Sequence, residues 1–219
     1  MQSEPLQTQN SERRGFAGSV RSSKFRVQSS KFAAFSALFL SACSPAPEPL
    51  KKYFDAPHFT LTERSGQPFD SASLRGKVWV ADFFFTGCQG TCLVLTQRVA
   101  KLHSAFRDEP GVRFVSISTD ANNDTPEQLT RYAASFHADD RWAFLTGAHD
   151  AIFDLSIQGF KLALVEDAAA IRVDEKFIHS TRLVLVDKAG SIRGYYDGLS
   201  QDEAETKRLT ADIRRLLAE

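Results

Sequence analysis

The stretch Lys77–His103, KVWVADFFFTGCQGTCLVLTQRVAKLH, limits the fold more than any other part of the chain. Val78 to Phe85 is a run of apolar and β-branched residues with the length of a fully buried strand. It breaks at Thr86-Gly87, and Cys88 and Cys92 follow four positions apart. A helical pattern comes next, with Leu93, Val94, Val99 and Leu102 apolar and Gln97, Arg98 and Lys101 polar. Two thiols therefore fall on a loop between a buried strand and a helix start. Free backbone N–H groups and the helix dipole favour thiolate over thiol there.

The flanking segments supply the rest of an α/β fold. His58–Thr62 alternates like a strand, and Arg64–Pro68 has turn chemistry. Val112–Ser118 is a second apolar strand. Thr125-Pro126-Glu127 starts a helix running to about Ala138, with Thr125 as cap and Pro126 at its first position. Trp142–Thr146 is a short strand, and Ala148–Leu155 one more helix. KLALVE and IRVDEKF, joined by Asp167–Ala170, read as a β-hairpin. His179-Ser180 follows it, then strand Thr181–Val186, a turn at Asp187–Gly190, strand Ser191–Tyr196 and an amphipathic helix over Ala204–Leu217. The order strand, Cys loop, helix, strand, helix, hairpin, helix predicts a thioredoxin-like α/β fold. A β-hairpin is inserted before the His-bearing strand.

The N-terminus reads as an address. Lys24, Arg26 and Lys31 precede an apolar core, Phe32–Leu40, too short for a secure transmembrane helix of ~20 residues. Leu40-Ser41-Ala42-Cys43 resembles a bacterial lipobox, which implies cleavage before Cys43 and lipid on its thiol. An uncleaved anchor is the alternative. The expected division is a tail and signal over residues 1–42, a linker over 43–51 and the thioredoxin-like domain over 52–217. These readings place the domain in the periplasm of a bacterial cell envelope, anchored to the membrane. Residues 1–42 hold six Lys/Arg and two acids, which leaves 21 basic against 25 acidic residues beyond them. A mildly acidic body offers no footprint for nucleic acid.

Cys88 and Cys92 admit three chemistries. They could cycle as a redox pair, since one helical turn brings two Cα atoms within the ~7 Å a disulfide spans. They could be a structural disulfide. They could also hold a soft metal as ligands on one side of a helical turn. Two sulfurs and one imidazole leave zinc a ligand short, whereas a trigonal S₂N site suits Cu(I). Met1 is the single methionine, so no thioether ligand comes from the domain. Of five histidines, His179 is the candidate, at the end of a hairpin able to swing over the cysteine loop. His103 reads as part of a solvated helix face, and His58, His137 and His149 as element-end residues. Asp120, just past the second strand, is either an outer carboxylate of the site or a loop cap.

With these residues in view, the chain resembles the Sco/SenC family of membrane-tethered copper proteins. The resemblance rests on DFFFTGCQGTC, VSISTDANNDTPEQL, RWAFLTG and IHSTRLVLVDKAGSIRGYYDG, in that order. It implies copper, as Cu(I) and also as Cu(II), bound by Cys88, Cys92 and His179, and a role in delivering copper to the CuA site of cytochrome c oxidase or keeping that site reduced. The implied partners are the CuA subunit of cytochrome c oxidase, or another copper-dependent client, and a thiol reductant. A periplasmic thiol–disulfide oxidoreductase using Cys88 and Cys92 is the competing function. The family commonly has proline after each cysteine; Gln89 and Leu93 stand there in this chain.

Overall fold

A computed structural model describes residues 48–167, 169–170 and 176–219. The expected signal segment and Cys43 lie outside these residues, as does most of the segment IRVDEKF. Among the described residues, seven strands form one sheet in the order β2-β1-β5-β4-β3-β8-β9. The parallel centre is β3 (Val78–Phe84), β4 (Val112–Ser118) and β5 (Trp142–Thr146), paired Val78↔Val112 through Phe84↔Ser118 and Phe114↔Trp142 onward. Antiparallel strands extend it: β8 (Arg182–Val186) beside β3, β9 (Ile192–Asp197) beside β8, β1 (Thr60–Glu63) beside β5, and β2 (Pro68–Asp70) beside β1. Among the described residues four α-helices complete the fold: α1 (Thr91–Ala105), α2 (Pro126–Ser135), α3 (His149–Asp154) and α4 (Glu203–Ala218). The expected α/β architecture is present.

All seven residues of β3 are buried because both sheet faces are covered. Side chains alternate between faces along a strand. Val78, Val80 and Phe84 pack with Leu95, Val99, Leu129, Ile213 and Leu216 of α1, α2 and α4. Trp79, Ala81 and Phe83 pack on the other side with Ile152, Leu155 and Phe160. The apolar reading of this strand passed over Asp82, which by alternation lies on the α1 face.

The inserted hairpin is a separate two-stranded sheet of β6 (Leu164–Glu166) and β7 (Phe177–His179), paired Leu164↔His179, Val165↔Ile178 and Glu166↔Phe177. Helix α2 is capped as expected: Thr125 Oγ1 accepts from the Gln128 N–H at 3.3 Å, with Pro126 in the first position. Two expectations about α1 are corrected. Its core face is Cys92, Leu95, Thr96, Val99, Leu102 and His103, while Val94 is 47% exposed. His103 is not on a solvated face: it is buried, and its Nε2 lies 2.8 Å from Asp139 Oδ1. Asp139 gives the ring a polar partner at the edge of the core, so the helical period, not residue polarity, decides its side.

Candidate metal centre

The loop after β3 is built around Cys88. Helix α1 begins at Thr91 with no side-chain cap on its first turn. The Cys92 N–H instead points at Cys88 Sγ, 3.4 Å away, so the sulfur occupies the place of a capping oxygen. Burial alone would raise the Cys88 thiol. Hydrogen bonds from the Cys92 side chain, from the Cys92 and Gly90 backbone and from Thr91 outweigh burial and lower it below an ordinary cysteine. Cys92 goes the other way. It is 1% exposed, and burial pushes its thiol up, reinforced by its hydrogen bond to Cys88 and by the charge Cys88 carries. The expectation that the helix start favours thiolate holds for Cys88 and fails for Cys92, which lies in the first turn but faces the core. Both cysteines are free thiols.

His179, at the end of β7, places Nε2 2.8 Å from Cys92 Sγ, across 87 positions of sequence. Its Nδ1 lies 3.0 Å from the Ser180 carbonyl oxygen, which can only accept. The hydrogen-bond network therefore assigns the proton to Nδ1 and leaves the Nε2 lone pair facing Cys92 Sγ. Burial lowers the His179 pKa and the Ser180 contact only partly offsets this, so the ring is neutral at pH 7. The His179 ring also stands edge-on to Phe85, 6.0 Å between centroids, and Phe85 meets Phe177 at 5.4 Å. This aromatic contact seats the hairpin on the residue three before Cys88.

The loop is fixed from the β4 side as well. The buried Asp124 carboxylate accepts from the Thr86 N–H at 3.0 Å, from the Thr86 hydroxyl at 2.5 Å and from the Ser118 hydroxyl. Burial raises its pKa, partly countered by these hydrogen bonds. Sequence reading missed Asp124. Its one signal was its position just before the Thr125-Pro126 helix start, where a buried carboxylate is indistinguishable from a loop cap. Asp120 is buried, accepts from Asn123 Nδ2 at 2.7 Å and faces Lys176 Nζ at 3.6 Å. It makes no contact with either cysteine among the interactions of the described residues.

The structure thus brings Cys88, Cys92 and His179 to one place and leaves the other four histidines elsewhere. His58 pairs with Asp70, His103 with Asp139, and His149 with Asp150 and Glu166; His137 lies exposed beyond α2. Among the described residues, no three His, Cys, Asp or Glu side chains already converge as a metal cage. The arrangement is a thiol–imidazole contact with a second sulfur on the same loop. A soft ion replacing the Cys92 proton would meet a nitrogen lone pair and two sulfurs, the donor set that Cu(I) prefers.

Comparison with known proteins bears on the same region. A profile of the SCO1/SenC family matches residues 48–218. The chain belongs to the SCO1/SenC family. A SCO1/SenC family lipoprotein from Bacillus anthracis strain Ames is similar at 34% identity, with a TM-score of 0.68 over 76% of this chain and 96% of that one. BsSco, a member of the Sco family of cytochrome c oxidase assembly proteins in which a disulfide switch was identified, is 29% identical. It aligns with a TM-score of 0.65 over 78% of this chain and 96% of its own. ScoI from Bradyrhizobium japonicum, solved with copper bound, shares the fold at 22% identity and a TM-score of 0.59, over 74% of this chain and 99% of that one.

Proposed function

We propose that this protein binds one Cu(I) ion through Cys88, Cys92 and His179 and passes it by ligand exchange to a dithiol client, the CuA subunit of cytochrome c oxidase. The observation that carries this reading is the contact of His179 Nε2 with Cys92 Sγ at 2.8 Å. Nothing in ordinary packing calls for a neutral imidazole lone pair aimed at a buried thiol beside a second, more acidic thiol. Cys88, held toward thiolate by the helix N–H groups, is the first donor. Cys92 follows, losing its proton to solvent as the metal takes that proton's place. His179 is the third donor, and because it is neutral it leaves without a protonation step when a client sulfur displaces it. The assembly role of BsSco and the copper held by ScoI support the client and the metal. The lipoprotein character of the Bacillus anthracis relative supports attachment through Cys43, with residues 43–51 as linker and the domain on the outer side of the membrane.

The test is a Cu(I) competition titration of the reduced protein against a chromophoric chelator. One ion per chain is expected. His179→Ala should bind roughly tenfold or more weakly, the scale on which metal-site substitutions act. Undiminished affinity in that variant would remove His179 from the site.

The split between the two thiols favours a second reading, thiol–disulfide exchange with Cys88 attacking and Cys92 resolving. Alkylation of the reduced protein across pH 6 to 9 should then modify Cys88 first, at pH values below those an ordinary cysteine needs, with Cys92 trailing. Equal rates at the two cysteines would contradict this. A midpoint potential below about −300 mV would mark a structural bridge instead.

A further inference from the structure

The hairpin that carries His179 is held to the body by charge, and this follows from one buried oxygen. Asp120 sits in the β4–α2 loop with its side chain 2% exposed. Its Oδ2 is satisfied by Asn123 at 2.7 Å, but Oδ1 is buried with no hydrogen-bond partner among the described residues. A carboxylate oxygen in that position is costly unless a cation faces it. Lys176 does so at 3.6 Å, from the residue just before β7 and three before His179. Lys176 is tied into the hairpin: its Nζ lies 3.5 Å from Glu166 Oε1 on β6 and 4.8 Å from the Phe177 ring centroid. Its carbonyl accepts from the Asp167 N–H at 2.8 Å. Glu166 in turn meets His149 Nε2 of α3 at 2.9 Å. Through its charged groups the base of the hairpin thus contacts two elements of the body, and Asp120 is the buried one of those two contacts.

We infer that Asp120 and Lys176 form a latch that positions His179 over the cysteines. Neither touches the metal. With the hairpin lifted, Asp120 is hydrated and Lys176 keeps only Glu166 of its own hairpin; with it seated, Lys176 also faces Asp120 and His179 reaches Cys92. Affinity for a ligand falls in proportion to the fraction of molecules in the competent state. Losing the latch therefore weakens copper binding through His179 alone. The inference rests on the copper reading above, and the sign of one substitution separates it from plain electrostatics. Removing a positive charge near thiolates strengthens binding of a cation, whereas removing a latch weakens it.

The test uses the reduced full chain and the variants Lys176→Met, Lys176→Arg, Asp120→Asn and His179→Ala, singly and with Lys176→Met combined with His179→Ala. Cu(I) itself is the probe, by chelator competition. Hydrogen–deuterium exchange of the metal-free protein over residues 164–179 is the second readout. Lys176→Met and Asp120→Asn should each weaken Cu(I) binding roughly three- to tenfold and raise hairpin exchange without metal, while exchange of β3 and β4 stays unchanged. Lys176→Arg should restore both. In the His179→Ala background Lys176→Met should have no further effect on affinity. Tighter or unchanged binding in Lys176→Met, beside a weakened His179→Ala, overturns the latch and leaves the copper reading standing. A Lys176→Met effect that persists without His179 also overturns it. If His179→Ala binds as tightly as wild type, the ligand assignment falls and the latch is judged by exchange: a faster hairpin in Lys176→Met supports it, an unchanged one overturns it.

Discussion

Asp82 is a carboxylate placed where a strand needs a hydrophobe. It shares the α1-facing side of β3 with Val78, Val80 and Phe84, and its charge contributes to the raised pKa of Cys92. Trp142 Nε1 donates to Ser116 Oγ at 2.9 Å, and Ser116 donates to Asp82 Oδ1 at 2.6 Å, while Asp82 Oδ2 has no partner among the described residues. Burial pushes the Asp82 pKa up to about 7, only partly opposed by Ser116. The unfolded value is about 3.9, so the folded state holds this proton more tightly. The stabilisation is fully present below about pH 4 and is lost as pH rises through 7. Each unit of the window costs up to about 1.4 kcal/mol, a loss of roughly 4 kcal/mol in all. Asp82→Asn keeps an acceptor for Ser116 and removes the titration. Denaturant unfolding of reduced wild type should therefore weaken between pH 4.5 and 7.5 relative to the variant, and parallel curves would show that Asp82 does not titrate in that window.

Among elements, those with a strong period were legible and those set by tertiary contact were not. The apolar runs of β3 and β4 announced two buried strands, and their parallel pairing is seen in the register Val78↔Val112 through Phe84↔Ser118. The hairpin was legible from its two alternating arms, although its described pairing is confined to Leu164–Glu166 and Phe177–His179. Helix α1 was found but turned about its axis. Leu93 and Val94 look like core in a list of apolar residues, yet the buried stripe runs through Thr96 and His103. Thr96 can be buried because its hydroxyl donates to the Cys92 carbonyl at 2.9 Å and meets the Tyr132 hydroxyl at 3.0 Å, contacts that no local pattern announces. The candidate metal centre divides in the same way. Cys88, Cys92 and His179 could be named from residue chemistry and family resemblance. The Asp124 clamp, the Asp120–Lys176 pair and the opposite behaviour of the two thiols depend on which groups the fold removes from water.

At the scale of the molecule, the start of the described chain and the two thiols fall at different ends of the sheet. The described chain is pinned early: Arg193 Nη2 donates to the Leu50 carbonyl at 2.8 Å, and the Tyr53 N–H to the Ile192 carbonyl at 2.9 Å. Ile192 opens β9 and pairs with Val186, which pairs with Trp79 at the start of β3, whereas Cys88 follows the end of that strand. The chain therefore enters at one end of the sheet and the thiols lie at the other, separated by the seven residues of β3, roughly 20 Å at ~3.3 Å per residue. Six residues, Ser44 to Pro49, lie between Cys43 and Leu50. A lipid on Cys43 would tether the domain through a short segment ahead of Leu50, and no helix among the described residues is long and apolar enough to cross a membrane. Attachment and metal binding should accordingly separate. In a bacterial host that processes lipoproteins, Cys43→Ser should move the protein from the membrane to the soluble periplasmic fraction. Its Cu(I) affinity after purification should match wild type, while delivery to a membrane-bound client falls because the local concentration of donor falls with it. A Cys43→Ser protein that stays in the membrane fraction would show that the apolar segment Phe32–Leu40 is an uncleaved anchor. A soluble variant with altered copper affinity would show that the two ends of the sheet are coupled.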